Sequence, residues 1–448
     1  MKKRRPIQLV LMLLWCVATG ITVNAQTPTV THEFSIQQAV DYAKKNNTQV
    51  KNALLAIQIQ EQENRGITAA AYPSLGVNGS LTDYIKVPTQ VIPGDFVGQP
   101  GTLLPVEFGV KYSSSAMVQL QQLLFDGQVF VGLQARKTSI EFAKKNVDVT
   151  EEMIKVNVYK IYYQLVVSKT QIELLDSNIS RLEKLKHDTY EIFKNGFAER
   201  LDVDKLDVQL INLKTEKQKA LNNIETGYLG LKTLIGMPVK ETLVLTDKIT
   251  DNDIKAGALA DSVNYNDRQD YQYLQLAKKL NEFNIKRYKL SYLPSLSATG
   301  VYGKQAYRQT FTFFGKGDWY DISYVGLNLS VPIFSGFGKD AKVKQSKLEL
   351  QQTVNNIDNL KLTIDNDVET AKLKFNTAIQ TMDFQKKNMQ LAETVYYQTK
   401  KKFEAGLGSN TEINTAQVDL KTAQTNYIAA LYDAVIAKVD FLKATGKL

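Results

Sequence analysis

Two eleven-residue stretches place charged side chains where they could act together. Residues 193–203 read FKNGFAERLDV and residues 403–413 read FEAGLGSNTEI. Each sets a Phe, then a Gly three positions on (Gly196, Gly406), an acidic residue six positions after that Gly (Asp202, Glu412), and an aliphatic residue next. The second copy begins 210 residues after the first (403 − 193). Two repeated carboxylates, with Arg200 as the only basic residue between the turn glycines and these carboxylates, concentrate charge at two matched points of the chain. The same carboxylates are also what the first turn of a helix favours, because the macrodipole is positive there. Both readings stand at this point. The rest of the chain offers no catalytic set. His32 and His187 are the only histidines, 155 residues apart (187 − 32), and neither falls into a metal-ligand spacing. Gly336-Phe337-Gly338-Lys339 lacks the spacing and the following Ser or Thr of a phosphate loop. The expectation is a protein that is not an enzyme and holds no cofactor and no metal.

The N-terminus reads as a secretory signal. Lys2, Lys3, Arg4 and Arg5 precede an apolar run over 7–18, and Val23-Asn24-Ala25 supplies small residues for cleavage. The run is too short to span a bilayer. Trp15 stands before Cys16 where a lipoprotein signal needs a small residue, so lipidation is not expected. Cys16 is the only cysteine, so removal of 1–25 leaves none. An exported chain without disulfides must hold together by packing or by oligomerisation. The formal charge of +9 falls to about +5 (9 − 4) without the signal's four cations, and Lys and Glu are interspersed along helical stretches. That is a solvated helical surface, and no nucleic-acid partner is expected. With 22 Tyr and 18 Phe against 10 Pro, aromatics are in supply for a membrane interface.

The turns belong to a larger repeat. Tyr72-Pro73-Ser74-Leu75 returns as Leu293-Pro294-Ser295-Leu296, Phe125-Asp126-Gly127 as Phe334-Ser335-Gly336, and Ile235-Gly236 as Thr445-Gly446. The first copy carries about a dozen extra residues between Leu75 and Phe125, in a loop rich in Pro and Gly. A repeat of this size is a duplicated supersecondary unit. In the second unit Val354, Ile357, Ile364, Val368, Ala371, Phe375, Ala378, Met382, Met389, Ala392, Tyr396 and Phe403 step by three and four, with Lys361, Gln385 and Thr399 filling the register. That is a coiled-coil seam on a helix predicted over 338–404, roughly 100 Å long. Its counterpart over 128–194 is interrupted only by Gly132. The shorter helices keep the register, with Ala at one heptad position five times running (416, 423, 430, 437, 444) and with Lys217 and Gly227 as exceptions in the first unit. Each unit is thus a long helix, a tight turn and a shorter antiparallel helix, with the turn as the hairpin tip.

Four segments alternate as strands. Leu75, Val77 and Leu81 alternate with Gly76, Asn78 and Ser80; Ala116, Val118 and Leu120 with Ser115, Gln119 and Gln121, where Met117 breaks the pattern. Leu296, Ala298 and Gly300 alternate with Ser297 and Thr299, and Val325, Leu327 and Leu329 with Gly326 and Asn328, while Trp319-Tyr320 stand at the entrance. Alternating segments of about ten residues with terminal aromatics match membrane β-barrel strands. Four strands cannot close a barrel and open edges are not tolerated in lipid, so several copies must share one wall. Twelve strands from three copies leave a channel, whereas eight from two are filled by side chains.

In this order and spacing, the duplicated strand-strand-helix-helix unit, the Pro-Ser-Leu openings, Phe-Asp-Gly and Phe-Ser-Gly and the Gly-bearing turns resemble the TolC-like outer-membrane efflux proteins over essentially the whole mature chain. The resemblance implies an α+β membrane protein, a homotrimer whose protomers each give four transmembrane strands to a shared β-barrel, continued by a periplasmic α-helical tunnel. It implies an equatorial belt from the helix at 35–47, the linker and the C-terminal end. Expected domains are a signal at 1–25, a first repeat at 26–236 (strands about 74–84 and 112–122, helices 128–194 and 201–235), a linker at 237–263, and a second repeat at 264–448 (helix about 267–292, strands about 295–307 and 319–331, helices 338–404 and 411–445). The implied role is the passive outer-membrane exit duct of a tripartite efflux or secretion system. Its partners would be a periplasmic adaptor (membrane fusion) protein, an inner-membrane pump and outer-membrane lipid. By position, Asp202, Glu412 and Arg200 fall at the periplasmic gate, and Gly196, Phe197, Gly406 and Leu407 at the adaptor-docking tips. The second turn has Gly408 and Ser409 where some relatives carry a basic latch, so the gate pairing does not carry over. The alternative is an exported coiled-coil adaptor or scaffold without a barrel; a periplasmic hydrolase is remote, for want of any polar constellation.

Overall fold

The computed structural model describes residues 31–255, 264–314 and 317–448; the signal at 1–25 and the end of the linker, 256–263, lie outside them. The chain is mostly helical with some sheet. It begins with β1 (Thr31–Phe34), α1 (Ile36–Asn46) and α2 (Thr48–Ala69). Ser35 and Gln38 form a capping box on α1, and the Asn47 side chain accepts from the first free amides of α2. The first unit continues with β2 (Ser74–Asp83), β3 (Thr89–Pro93), β4 (Leu103–Glu107), β5 (Tyr112–Phe125), α3 (Gly127–Lys194) and α4 (Arg200–Ile235). The linker holds β6 (Thr242–Leu245) and α5 (Asp251–Lys255). The second unit is α6 (Gln269–Leu290), β7 (Ser295–Arg308), β8 (Tyr320–Ser330), α7 (Gly338–Glu404) and α8 (Asn410–Ala444). Helices α2 and α6 are both 22 residues long and 221 residues apart (269 − 48).

The sheet runs β2-β5-β7-β8, antiparallel throughout, so β2 and β8 are its open edges. Register sets Leu75 opposite Leu120, Val77 opposite Val118, Gly300 opposite Val325 and Leu296 opposite Leu329, so one face is apolar over its half nearer the helices, with the Lys304–Asp321 ion pair (3.3 Å) on the same face farther out. On the other face Asn78 bonds Gln119 (3.4 Å), Ser80 bonds Ser115 (2.7 Å) and Asn328 bonds Thr299 (3.1 Å). Met117 falls on this polar face opposite Gly303, where an added Cβ would come within 2.7 Å of the Met117 Cα. The glycine makes the room that the methionine fills. The extra loop of the first unit differs from a plain loop: β3 and β4 pair as a separate two-stranded hairpin.

The helices form a layer with the same order and the same edges. Next to the sheet α2 packs on α3, α3 on α6 and α6 on α7; toward the tips α4 packs on α3, α3 on α8 and α8 on α7. The coiled-coil seam is buried at Ile357, Ile364, Val368, Ala371, Phe375, Met382 and Tyr396, and the five-alanine row of α8 at every position. Small residues there let helix axes approach closely, and Phe375 stacks on Phe441 (5.9 Å between centroids). At mid-height β1 pairs in parallel with β6. The Tyr162 hydroxyl donates to the Phe34 carbonyl (2.9 Å), and burial pushes this phenol well above its ordinary range. Linker helix α5 is held on α7 by Lys386–Asp251 (2.5 Å) and Lys255–Asp383 (2.7 Å), and Tyr265 donates to Asp365 (2.9 Å).

Candidate functional site at the hairpin tips

The two tips are built alike at the level of single hydrogen bonds. At the end of α3 the Gly196 amide donates to the Phe193 carbonyl (2.9 Å) and the Phe197 amide to Ile192 (3.1 Å). At the end of α7 the Gly406 amide donates to Phe403 (2.9 Å) and the Leu407 amide to Lys402 (3.0 Å). Both are Schellman turns, and Gly196 (φ 80°) and Gly406 (φ 72°) take the left-handed backbone that the motif needs. The same device recurs at the far ends of α4 and α8 with Gly236 (φ 75°) and Gly446 (φ 69°), again 210 residues apart (446 − 236). In a Schellman turn the residue after the glycine usually packs back on the helix. Here Phe197 is 85% exposed and Leu407 77%, so both tips present an apolar side chain outward.

The charged residues are not arranged alike. Glu412 accepts from Lys402 across the tip (2.9 Å), and its own amide donates to the Ser409 hydroxyl (3.2 Å). The hydrogen bond and charge of Lys402 hold the Glu412 carboxyl below the usual carboxylate range. Asp202 sits in the first turn of α4, with Lys205 at 3.9 Å. Arg200 turns along its own helix to Asp204 (3.0 Å) rather than to Asp202. Lys402, Lys205 and Asp204 were not singled out from sequence. The i,i+4 spacing of Arg200 and Asp204 was a readable signal. Lys402 became a partner only through closure of the hairpin.

Above the tips the core between the two hairpins turns polar. Asn178 Nδ2 donates to Gln424 (2.8 Å), Gln417 Nε2 donates to Asn178 Oδ1 (3.1 Å), and Arg181 donates to the same oxygen (2.7 Å). The Arg181 guanidinium also lies over the Tyr396 ring, 5.8 Å from its centroid. Several buried polar atoms here find no protein partner, among them Gln417 Oε1, Arg181 Nε, Thr189 Oγ1, Asn410 Nδ2 and Asn414 Oδ1. Each such atom costs roughly 1–3 kcal/mol. The contrast with the alanine and Phe seam higher up is direct, and the polar layer interrupts an apolar core in which Leu182 and Leu185 of the first hairpin and Ile413 and Ala416 of the second are buried nearer the tips. Gln417 and Gln424, seven apart in an otherwise apolar row, were the sequence signal for this layer.

The chain is a four-stranded antiparallel sheet with one largely apolar and one polar face, continued by a layer of long helical hairpins. Residues 273–447 match the family model described as outer membrane efflux protein. The chain is 19% identical over 336 residues to the outer membrane protein TolC of Vibrio cholerae, covering 75% of this chain and 77% of the relative. It is 22% identical over 424 residues to the probable efflux pump outer membrane protein TtgC of Pseudomonas putida, covering 93% and 83%. Crystal structures of CusC superpose with a TM-score of 0.76 at 14% identity, over 92% of this chain and 91% of that one. The chain is TolC-like in sequence and in fold, and it is a protein of the cell outer membrane with a large periplasmic portion.

Proposed function

We propose that the chain is the outer-membrane channel-tunnel of a tripartite efflux or secretion system, a passive duct made by three copies. One observation carries this reading. Sheet and helix layers have unpaired edges on the same two sides: β2, α2 and α4 on one, β8 and α7 on the other. Both helical edges carry exposed apolar residues, Val208, Ile211 and Leu229 on α4 and Leu362, Leu373, Phe384 and Leu391 on α7. Two different edges that complement each other make a head-to-tail contact, which closes into a ring when the rotation between copies divides a full turn. Three copies give twelve strands, enough for an open lumen lined by the Asn, Gln and Ser face.

In this reading the tips form the periplasmic mouth. Phe197 and Leu407 are the apolar knobs for an adaptor's helical hairpins, and the pump docks behind them. The unsatisfied polar layer around Asn178 and Gln417 supports relative movement of the hairpins at that level. Asp202 is the carboxylate available to line the constriction, while Glu412 is partly neutralised by Lys402. Single channels of the Asp202→Asn, Glu412→Gln double variant in planar bilayers test the site. Cation over anion permeability should fall relative to the parent, more steeply at low salt, with assembly unchanged. Equal selectivity in parent and variant would return both residues to the helix-start role.

A further inference from the structure

Where the sheet meets the helices, the second unit carries a cation cluster that the first unit lacks. The last five residues of α6 are KRYKL and the first ten of α7 are GKDAKVKQSK, seven cations in all. The matching stretches of the first unit, RGITA ending α2 and GQVFVGLQAR opening α3, hold Arg65 and Arg136 alone. The duplicated fold therefore forms this junction without the extra charge. The helix dipole accounts for cations at the C-terminal end of α6, but it disfavours the lysines that open α7. Among the described residues only Lys344 of the seven meets a carboxylate, Asp340 at 2.8 Å. Lys339 donates to the Ser291 carbonyl (2.5 Å) and Lys286 to Gln134 (2.8 Å). Lys286, Lys289, Lys342, Lys344 and Lys347 are exposed.

Immediately beside this cluster stand exposed aromatic and apolar residues. Phe334 and Phe337 are 78% and 75% exposed and meet edge to face (5.6 Å), Ile333 precedes them in the chain, and the half-exposed Tyr292 ring lies under Lys339 (5.7 Å). Lys344 lies three heptads above Asp365, which Tyr265 at the start of the second repeat bonds, so it faces the same side as that segment. An aromatic belt marks the bilayer boundary, and cations just outside it meet headgroup phosphates.

From this juxtaposition we infer that Lys286, Lys289, Lys344 and Lys347 form a binding site for an anionic phospholipid headgroup of the periplasmic leaflet, one per chain. Charge complementarity and continuity with the apolar sheet face select a lipid over a soluble anion. The inference rests on the sheet lying in the bilayer, as proposed above. Four lysines near an anionic surface are together enough for a preference of at least about tenfold.

The test is native mass spectrometry of detergent-solubilised protein equilibrated with equal amounts of phosphatidylglycerol and phosphatidylcholine. Lipid is counted per chain, so that a wrong copy number and a missing site read differently. The parent should retain phosphatidylglycerol about tenfold over phosphatidylcholine. The Lys286→Gln, Lys289→Gln, Lys344→Gln, Lys347→Gln variant should retain the two nearly equally. A control removing as much charge far from the belt (Lys219→Gln, Lys372→Gln, Lys387→Gln, Lys401→Gln) should behave as the parent. The inference is overturned by a quadruple belt variant that keeps the preference, or by displacement of the lipid by inorganic phosphate. A parent that needs no detergent and holds neither lipid contradicts the bilayer reading itself.

Discussion

Glu412 and Asp202 occupy the same place in the two copies of the turn, yet they meet different partners. Lys402 reaches Glu412 because the Schellman turn folds the end of α7 back over the start of α8. Glu412 is depressed in the folded chain, so its pairing is complete above the ordinary Glu range, near 4.3, and is lost as pH falls through the lower folded value. Lys402→Gln should move the Glu412 carboxyl resonance to titrate at the ordinary value in carbon-detected NMR. An unmoved midpoint would mean that another group holds it. Composition and spacing located both carboxylates, but contact order did not. A partner ten residues away across a turn is visible only once the turn's geometry is known, whereas Arg200 with Asp204 needs helix periodicity alone.

At the scale of elements, the irregularities in the sequence pattern mark close packing. Gly227 breaks the seam of α4 because a Cβ there would lie 2.7 Å from Leu165 Cδ2 of α3. Lys217 leaves the seam to meet Asp176 (2.5 Å). The five-alanine row of α8 makes the strongest prediction at this scale, since Ala423 and Ala430 are 3% and 5% exposed. Ala423→Leu with Ala430→Leu should overpack a tight seam at a cost of about 1–3 kcal/mol per site, lowering the thermal midpoint of the assembly. A midpoint equal to the parent's would show that these alanines do not face a neighbouring helix. Heptad stepping made the helices and their inward rows legible from sequence. The hairpin of β3 and β4 was not, because its Pro- and Gly-rich composition has the same signature as a loop, and its strands are only five residues each.

At the scale of the molecule, duplication explains the shape of the wall. Each unit supplies two strands, a helix leading into them and a hairpin leading out, and placing the units side by side leaves an edge free on each side. The paired landmarks at intervals of 210 and 221 residues gave this plan away before any coordinates, since each landmark sits at an element boundary: Pro-Ser-Leu at the openings of β2 and β7, and glycine at all four ends of the hairpin helices. What the sequence left undetermined was the order of the layer, which depends on long-range packing of α3 against α6 and α8. The central claim, that the free edges close on further copies, is tested most directly by the mass of the detergent-solubilised protein from light scattering corrected for bound detergent. Three chains per particle are predicted. A monodisperse single chain that keeps its strand content would contradict the account.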